Sequence, residues 1–314
     1  MKDFTELRIV FMGTPEFAVA SLAALVQAGC HIVGVITAPD KPAGRGMQLQ
    51  QSAVKKYAVE QGLTVLQPEK LKNPDFLHEL KALNADLQIV VAFRMLPELV
   101  WNMPPMGTVN LHGSLLPQYR GAAPINWAVI NGEPETGVTT FKLKHEIDTG
   151  DILLAEKIAI PSSMTAGELH DVMKEVGAAL LVKTVKGLAD GSLQELPQTI
   201  LAAGKELHHA PKIFTETCRI DWQQSATAIY NLIRGLSPFP AAFTQLDGKT
   251  LKIFKATIIE GKPTIPVGQY QTDGKTCLRF ACPDGYIQVD ELQLEGKKRM
   301  PLGDFLRGYR FATA

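Results

Sequence analysis

The sequence of 314 residues has no apolar run near the ~18 residues that a membrane-crossing helix needs, and its longer apolar stretches, such as Leu87–Phe93, are strand-sized. A secretory leader's apolar core is missing too, since Met1-Lys2-Asp3-Phe4-Thr5-Glu6 puts acidic charge in its place. Both absences lead to the expectation of a cytoplasmic protein that does not touch a membrane. Cysteine is scarce, with only Cys30, Cys218, Cys277 and Cys282, and no pair has metal-ligand spacing. Reduced structural thiols and no bound metal are therefore expected. Net charge is absent as well: Lys+Arg and Asp+Glu stand at 32 each. No internal repeat and no low-complexity segment is present. Two glycine signatures are also missing. Gly13-Thr14-Pro15 lacks the second and third glycines of a dinucleotide loop, and Pro15 removes a donor amide. Nothing resembles the G-x-S-x-G turn that would present a nucleophilic serine.

What is present has the texture of a globular chain with room for two domains, 46% hydrophobic and 20% charged. Short apolar runs alternate with helical patterns through the first part. Strand candidates are Arg8–Met12, His31–Thr37, Thr64–Gln67, Asp86–Phe93, the segment around Val109 and Leu111, Thr136–Leu143 and Ile152–Ile160. Helices are expected after Pro15, over Ser52–Gln61, Leu77–Leu83 and Pro124–Ile130, and over Gly167–Leu188. Strand–helix alternation predicts an α/β fold, a doubly wound and mostly parallel Rossmann-like sheet over residues 1–192. Residues 193–209 read as a linker. From 210 to 314 a short helix at Ser225–Gly235 precedes β-type runs, and a small all-β, OB-like barrel is expected. The charge divides unevenly, with 15 Lys/Arg against 11 Asp/Glu from Leu201 onward and 17 against 21 before it. A basic tail on an acidic body hints at an anionic partner for the tail. No exposed heptad stripe argues for association, so a monomer is expected.

Three segments carry candidate chemistry. Ala38–Met47 gathers Pro, Gly and Asp around Lys41 and Arg45, either a solvated loop or a basic finger that orders on a phosphate backbone. Thr108–Gly113 reads T-V-N-L-H-G, so strand alternation sends Val109 and Leu111 to one face, and Asn110 and His112 together to the other. Ile147-Asp148-Thr149-Gly150-Asp151 places two carboxylates in a turn. Taken singly, Asn110 could be a turn amide, His112 an interior histidine and Asp148 a cap. Together, an amide donor, an imidazole and a carboxylate suit attack by an amine on an acyl carbon: the amide holds the oxyanion while the other two move the released proton.

At these residues a resemblance becomes recognisable. The run Asn110-Leu111-His112-Gly113-Ser114-Leu115-Leu116-Pro117, with Tyr119-Arg120-Gly121 and Ile147-Asp148-Thr149-Gly150, resembles the folate-dependent formyltransferases. Phe11-Met12-Gly13-Thr14-Pro15, Pro42-Ala43-Gly44-Arg45-Gly46, Arg120-Gly121-Ala122-Ala123-Pro124, Glu295-Gly296-Lys297-Lys298-Arg299-Met300 and Asp304-Phe305-Leu306 are similar to the branch that acts on methionyl initiator tRNA. The resemblance runs from about Leu7 to Gly308.

That resemblance implies a translation-initiation enzyme that moves a formyl group from 10-formyltetrahydrofolate, a co-substrate, to the amine of methionyl initiator tRNA. Asn110 would hold the formyl oxygen, His112 would assist proton transfer, and Asp148 would orient His112 and take up the proton. Ser114, Leu115, Leu116 and Pro117 would line the folate site with Val90, Val91, Ala92 and Phe93. Arg45 would reach the acceptor end of the tRNA, and Lys297, Lys298 and Arg299 would meet tRNA phosphates. A formyltransferase for a small amino substrate, such as an amino sugar nucleotide, is the alternative. Two departures stand out: Ala92-Phe93-Arg94 replaces the family's usual Ala-Tyr-Gly, and Met47-Gln48-Leu49-Gln50 is neutral where that loop is often lysine-rich.

Overall fold

The computed structural model describes residues 3–43 and 48–311. Two compact units emerge: residues 1–121, 136–158 and 170–209 form the first, and residues 122–135, 159–169 and 210–314 the second. Among the described residues no helix is long and apolar enough to cross a membrane.

The first unit is organised by a seven-stranded sheet. Its strands are β1 (Arg8–Gly13), β2 (His31–Ile36), β3 (Val65–Leu66), β4 (Leu87–Val91), β5 (Thr108–His112), β6 (Glu135–Lys142) and β7 (Ile152–Ala159). Their spatial order is β7-β6-β5-β4-β1-β2-β3, with the chain working outward on both sides of β1. That is the doubly wound arrangement expected from the alternation. β1 pairs parallel with β2 and β4, and β4 parallel with β5, whereas β6 runs antiparallel to β5. All five residues of β4 are buried, as a strand covered on both faces requires. Val10, Met12, Ile36, Phe76, Leu80, Val90 and Val100 form one apolar cluster. Gly13 ends β1 where a Cβ would lie 2.6 Å from the Ala18 Cβ, so close packing of α1 (Glu16–Gln27) accounts for the glycine.

Two local differences from the sequence reading have clear causes. The helix expected at Leu77 begins earlier, as α2 (Pro74–Ala82), because Asn73 caps the Asp75 amide at 2.9 Å and Pro74 occupies the first turn. In the Pro/Gly-rich segment, Lys41–Ala43 pairs antiparallel with Gln48–Gln50; Arg45 lies outside the described residues.

The second unit is a curled antiparallel sheet of the barrel kind. β8 (Ala242–Leu246), β9 (Lys249–Glu260), β10 (Tyr270–Thr272), β11 (Leu278–Cys282) and β12 (Gly285–Leu294) lie in the order β8-β9-β12-β11-β10, with β13 (Met300–Pro301) on β12. Register shifts at Lys255 bend the long β9–β12 ladder. Helix α3 (Ala226–Gly235), capped by Ser225 at the Ala228 amide, buries Ile229 and Ile233 in the same core as Leu251, Ile253, Phe280 and Ile287. Asp247 and Gly248 make the two-residue turn between β8 and β9, with φ of 49° and 75°.

The Asp247 carboxylate accepts hydrogen bonds from the Tyr270 hydroxyl at 2.9 Å and the Tyr309 hydroxyl at 2.7 Å. Burial, with that carboxylate alongside, pushes the Tyr309 phenol up to about 12 from 10.0. A raised folded value gives stability that is complete below the unfolded value and lost as pH rises through the folded one. The second unit is therefore expected to lose stability between pH 10 and about 12, and less steeply in Tyr309→Phe. Denaturant midpoints measured across that range check this.

Candidate active site

β5 ends at the carboxyl edge of the sheet, beside β4 on one side and β6 on the other, where open α/β sheets bind ligands. Asn110 is opposite Val90 of β4 and Phe141 of β6, and His112 is opposite Thr139. Period-two alternation sets the two polar side chains on the same face. The Asn110 carboxamide has no hydrogen-bond partner among the described residues, leaving its donors available. His112 is 7% exposed and fixed: Nε2 lies 2.9 Å from the Tyr119 carbonyl oxygen. A carbonyl only accepts, so Nε2 must carry a hydrogen. The other nitrogen, Nδ1, faces the Asp148 carboxylate, whose Oδ2 is 3.9 Å away.

Asp148 arrives from the turn between β6 and β7. Gly150 lets that turn close: a Cβ there would sit 1.6 Å from the Lys142 carbonyl oxygen, which no other residue permits. The Lys142 amide donates to the Asp151 carbonyl at 3.0 Å, and Lys144 Nζ pairs with Asp151 Oδ2 at 2.7 Å. Asp148 itself is left-handed, φ 55°, and its Oδ2 accepts the Gly121 amide at 3.0 Å. Two more non-glycine residues flank the site in that region, Ala92 at φ 47° after β4 and Tyr119 at φ 57°. Such backbone persists where surrounding structure over-determines it, and it clusters at functional sites.

The loop after β5 is stitched from within. Thr139 Oγ1 donates to the Ser114 carbonyl at 2.6 Å and accepts the Leu116 amide at 3.2 Å, and Ser114 Oγ donates to the Gln118 carbonyl at 2.6 Å. Ser114, Leu116 and Pro117 are buried, as are Val90 and Val91; Leu115, Ala92 and Phe93 are more open. Leu115, Ala92 and Phe93 thus offer most of the surface that this predicted folate lining exposes. Arg94 is drawn aside: its guanidinium donates to the carbonyls of Glu69, at 2.7 Å, and Pro68, and lies 5.6 Å from the Phe93 ring centre.

Residues 193–209 contribute contacts that sequence reasoning missed. Gln198, 2% exposed, bonds Arg120 and the backbone of Asp148 and Gly150. The Gln118 side chain donates to the Glu206 carbonyl and accepts the His208 amide, both at 2.8 Å, while the Tyr119 amide donates to the His208 carbonyl at 2.7 Å. In a stretch read as a linker, nothing in the sequence marked the glutamine as buried.

In the second unit, Lys297, Lys298 and Arg299 follow β12. Arg299 is committed, with Nε and Nη2 on the Glu291 carboxylate at 2.8 and 2.7 Å and the guanidinium 4.3 Å from the Phe254 ring centre. That contact holds the Glu291 carboxyl below its usual value. Lys297 and Lys298 are exposed and make no ion pair among the described residues.

Residues 7–185 match the model described as "Formyl transferase", and residues 212–310 the one described as "Formyl transferase, C-terminal domain". A protein named methionyl-tRNA formyltransferase from Parabacteroides distasonis is 57% identical over 312 residues, spanning 97% of this chain and 96% of its own. One of the same name from Bacteroides fragilis is 53% identical over 314 residues, spanning 98% and 97%. Among solved structures, WlaRD, a sugar 3N-formyl transferase, superposes with TM-score 0.66 at 19% identity over 93% of this chain and 99% of its own. HypX from Aquifex aeolicus in complex with tetrahydrofolic acid gives TM-score 0.64 at 20% identity over 96% of this chain, which spans 48% of HypX. Matched in both its parts, and more than half identical over nearly its whole length to the Parabacteroides distasonis and Bacteroides fragilis proteins, the chain belongs to the formyl transferase family.

Proposed function

We propose that this chain transfers the formyl group of 10-formyltetrahydrofolate to the α-amino group of methionyl initiator tRNA, releasing tetrahydrofolate and N-formylmethionyl-tRNA. The observation that carries the chemistry is an Asn110 amide with no hydrogen-bond partner among the described residues, on the same strand face as His112, which Asp148 faces. The names of the full-length relatives supply the substrates.

In this reading the neutral amine attacks the formyl carbon, the new N–C bond forms, and the bond from that carbon to folate N10 breaks. Asn110 donates to the formyl oxygen as negative charge gathers there. His112, with Nε2–H held by the Tyr119 carbonyl, has only Nδ1 to offer, so the amine's proton is taken on the edge facing Asp148. The Asp148 carboxylate stabilises the resulting imidazolium, and the proton leaves toward folate N10 or solvent, which balances the step. No serine or cysteine nucleophile enters. The folate lies against Val90–Phe93 and Ser114–Pro117, at the carboxyl ends of β4 and β5.

Incubating the protein with formyl-labelled 10-formyltetrahydrofolate and charged initiator tRNA tests the reading. Label on the aminoacyl group is expected; label found only on an amino sugar nucleotide, or released as formate without an acceptor, would overturn it.

Lys297, Lys298 and Arg299 are the proposed phosphate contacts of the second unit and Arg45 that of the first; Arg299 is also paired with Glu291. Replacing Lys297 and Lys298 together by Ala is expected to lower the slope of log affinity for tRNA against log salt by about 1.5–2, since each lost contact releases fewer counterions. Titrations at several ionic strengths read the slope, and an unchanged slope would place the grip elsewhere.

A further inference from the structure

One fully buried side-chain amide touches both loops that frame the His112–Asp148 pair. Gln198 is 2% exposed. Its Nε2 donates to the Asp148 carbonyl at 2.9 Å and the Gly150 carbonyl at 2.8 Å. Its Oε1 accepts from Arg120 Nε at 3.0 Å and Nη2 at 2.6 Å. Both N–H groups and the oxygen are used, and the reversed amide would face carbonyls with an oxygen and a guanidinium with N–H groups. The orientation is thus fixed.

Arg120 precedes Gly121, whose amide donates to Asp148 Oδ2 at 3.0 Å. A closed circuit results, from Gln198 through Arg120 and Gly121 to the Asp148 carboxylate, then from the Asp148 carbonyl back to Gln198. Both ends of Asp148 are gripped, and the residue holds a left-handed φ of 55° outside any strand. We propose that Gln198 is a positioning residue for the formyl transfer: it fixes the Asp148 turn, and with it the carboxylate's separation from His112. This rests on the role given to Asp148 above.

Buried as it is, Gln198 is shielded from substrate, so its loss should act on turnover and leave binding alone. In the full-length chain Gln198→Ala is expected to lower kcat about 10–100-fold, the scale of a misplaced catalytic group, with each KM changed less than about threefold. Gln198→Glu keeps the size and the Arg120 contact but turns an oxygen toward the Asp148 and Gly150 carbonyls; a comparable loss is expected. In an Asp148→Asn background, Gln198→Ala should change the single-turnover rate less than about threefold, because the group it positions is already disabled. Amide exchange at Gly121, followed without substrates, should speed up in both Gln198 variants while Ile152, whose amide donates to the Leu196 carbonyl, keeps its protection. Wild-type kcat in Gln198→Ala, the full loss repeated on top of Asp148→Asn, or unchanged Gly121 exchange would each overturn the proposal. A wild-type chain that yields no formylated product, with Gly121 exchange responding as expected, would count against the function and not against the positioning role.

Discussion

Asn110→Ala is expected to lower the formylation rate about 10²–10³-fold, the cost of losing one preorganised oxyanion donor, about 3 kcal/mol of barrier. The fold should survive. Asn110 sits mid-strand with no side-chain hydrogen bond among the described residues, and Ala leaves its pairing with Val90 and Phe141 untouched. The donor's worth comes from being unspent: no partner has to be broken before it meets developing charge. Single-turnover transfer of a labelled formyl group reads the effect, with unchanged circular dichroism as the control. A variant within threefold of the parent would mean that the oxygen is held by something else.

Asp148→Asn should cost about 10²–10⁴-fold, the range for a disabled acid–base partner. Asparagine is nearly the same shape, and its oxygen can still accept the Gly121 amide, so the turn should persist. What changes is the group facing Nδ1 of His112. A carboxylate holds an imidazolium there, whereas an amide either donates to Nδ1, blocking the proton's only landing place, or presents an uncharged oxygen. With Nε2–H engaged by the Tyr119 carbonyl, the ring has no second edge to substitute. Rates near the parent's would remove Asp148 from the proton path.

Much of this was legible beforehand, for identifiable reasons. The strand alternation of T-V-N-L-H-G gave the shared face of Asn110 and His112, because period two holds in any strand. The run within the strand expected at Asp86–Phe93, apolar but for Gln88 from Leu87 on, announced a strand covered on both faces. The closeness of Asp148 to His112 was readable only through a family resemblance, since it depends on a left-handed residue and on a glycine at 150 packed against the Lys142 carbonyl. Gln198 was invisible. A lone polar residue in a segment without periodicity looks solvent-exposed, and what buries it is four hydrogen bonds to groups 48 to 78 residues distant. Arg299 shows the same limit from another side: a basic triplet reads as one uniform patch, yet one member is paired with Glu291 and lies over Phe254. Local pattern reports what a residue's own element demands, and long-range partners can overrule it.

The contacts made by Gln198 and by the backbone of Glu206 and His208 bear on where the enzyme can be cut. A truncated piece stopping at residue 185, where the match to the first family model ends, would retain Asn110, His112 and Asp148 and yet be missing the braces behind two of their loops. The smallest fragment worth expressing for catalysis on its own therefore runs through His209, and a protease nick near Gly204 should be as damaging as a point change in the reaction centre.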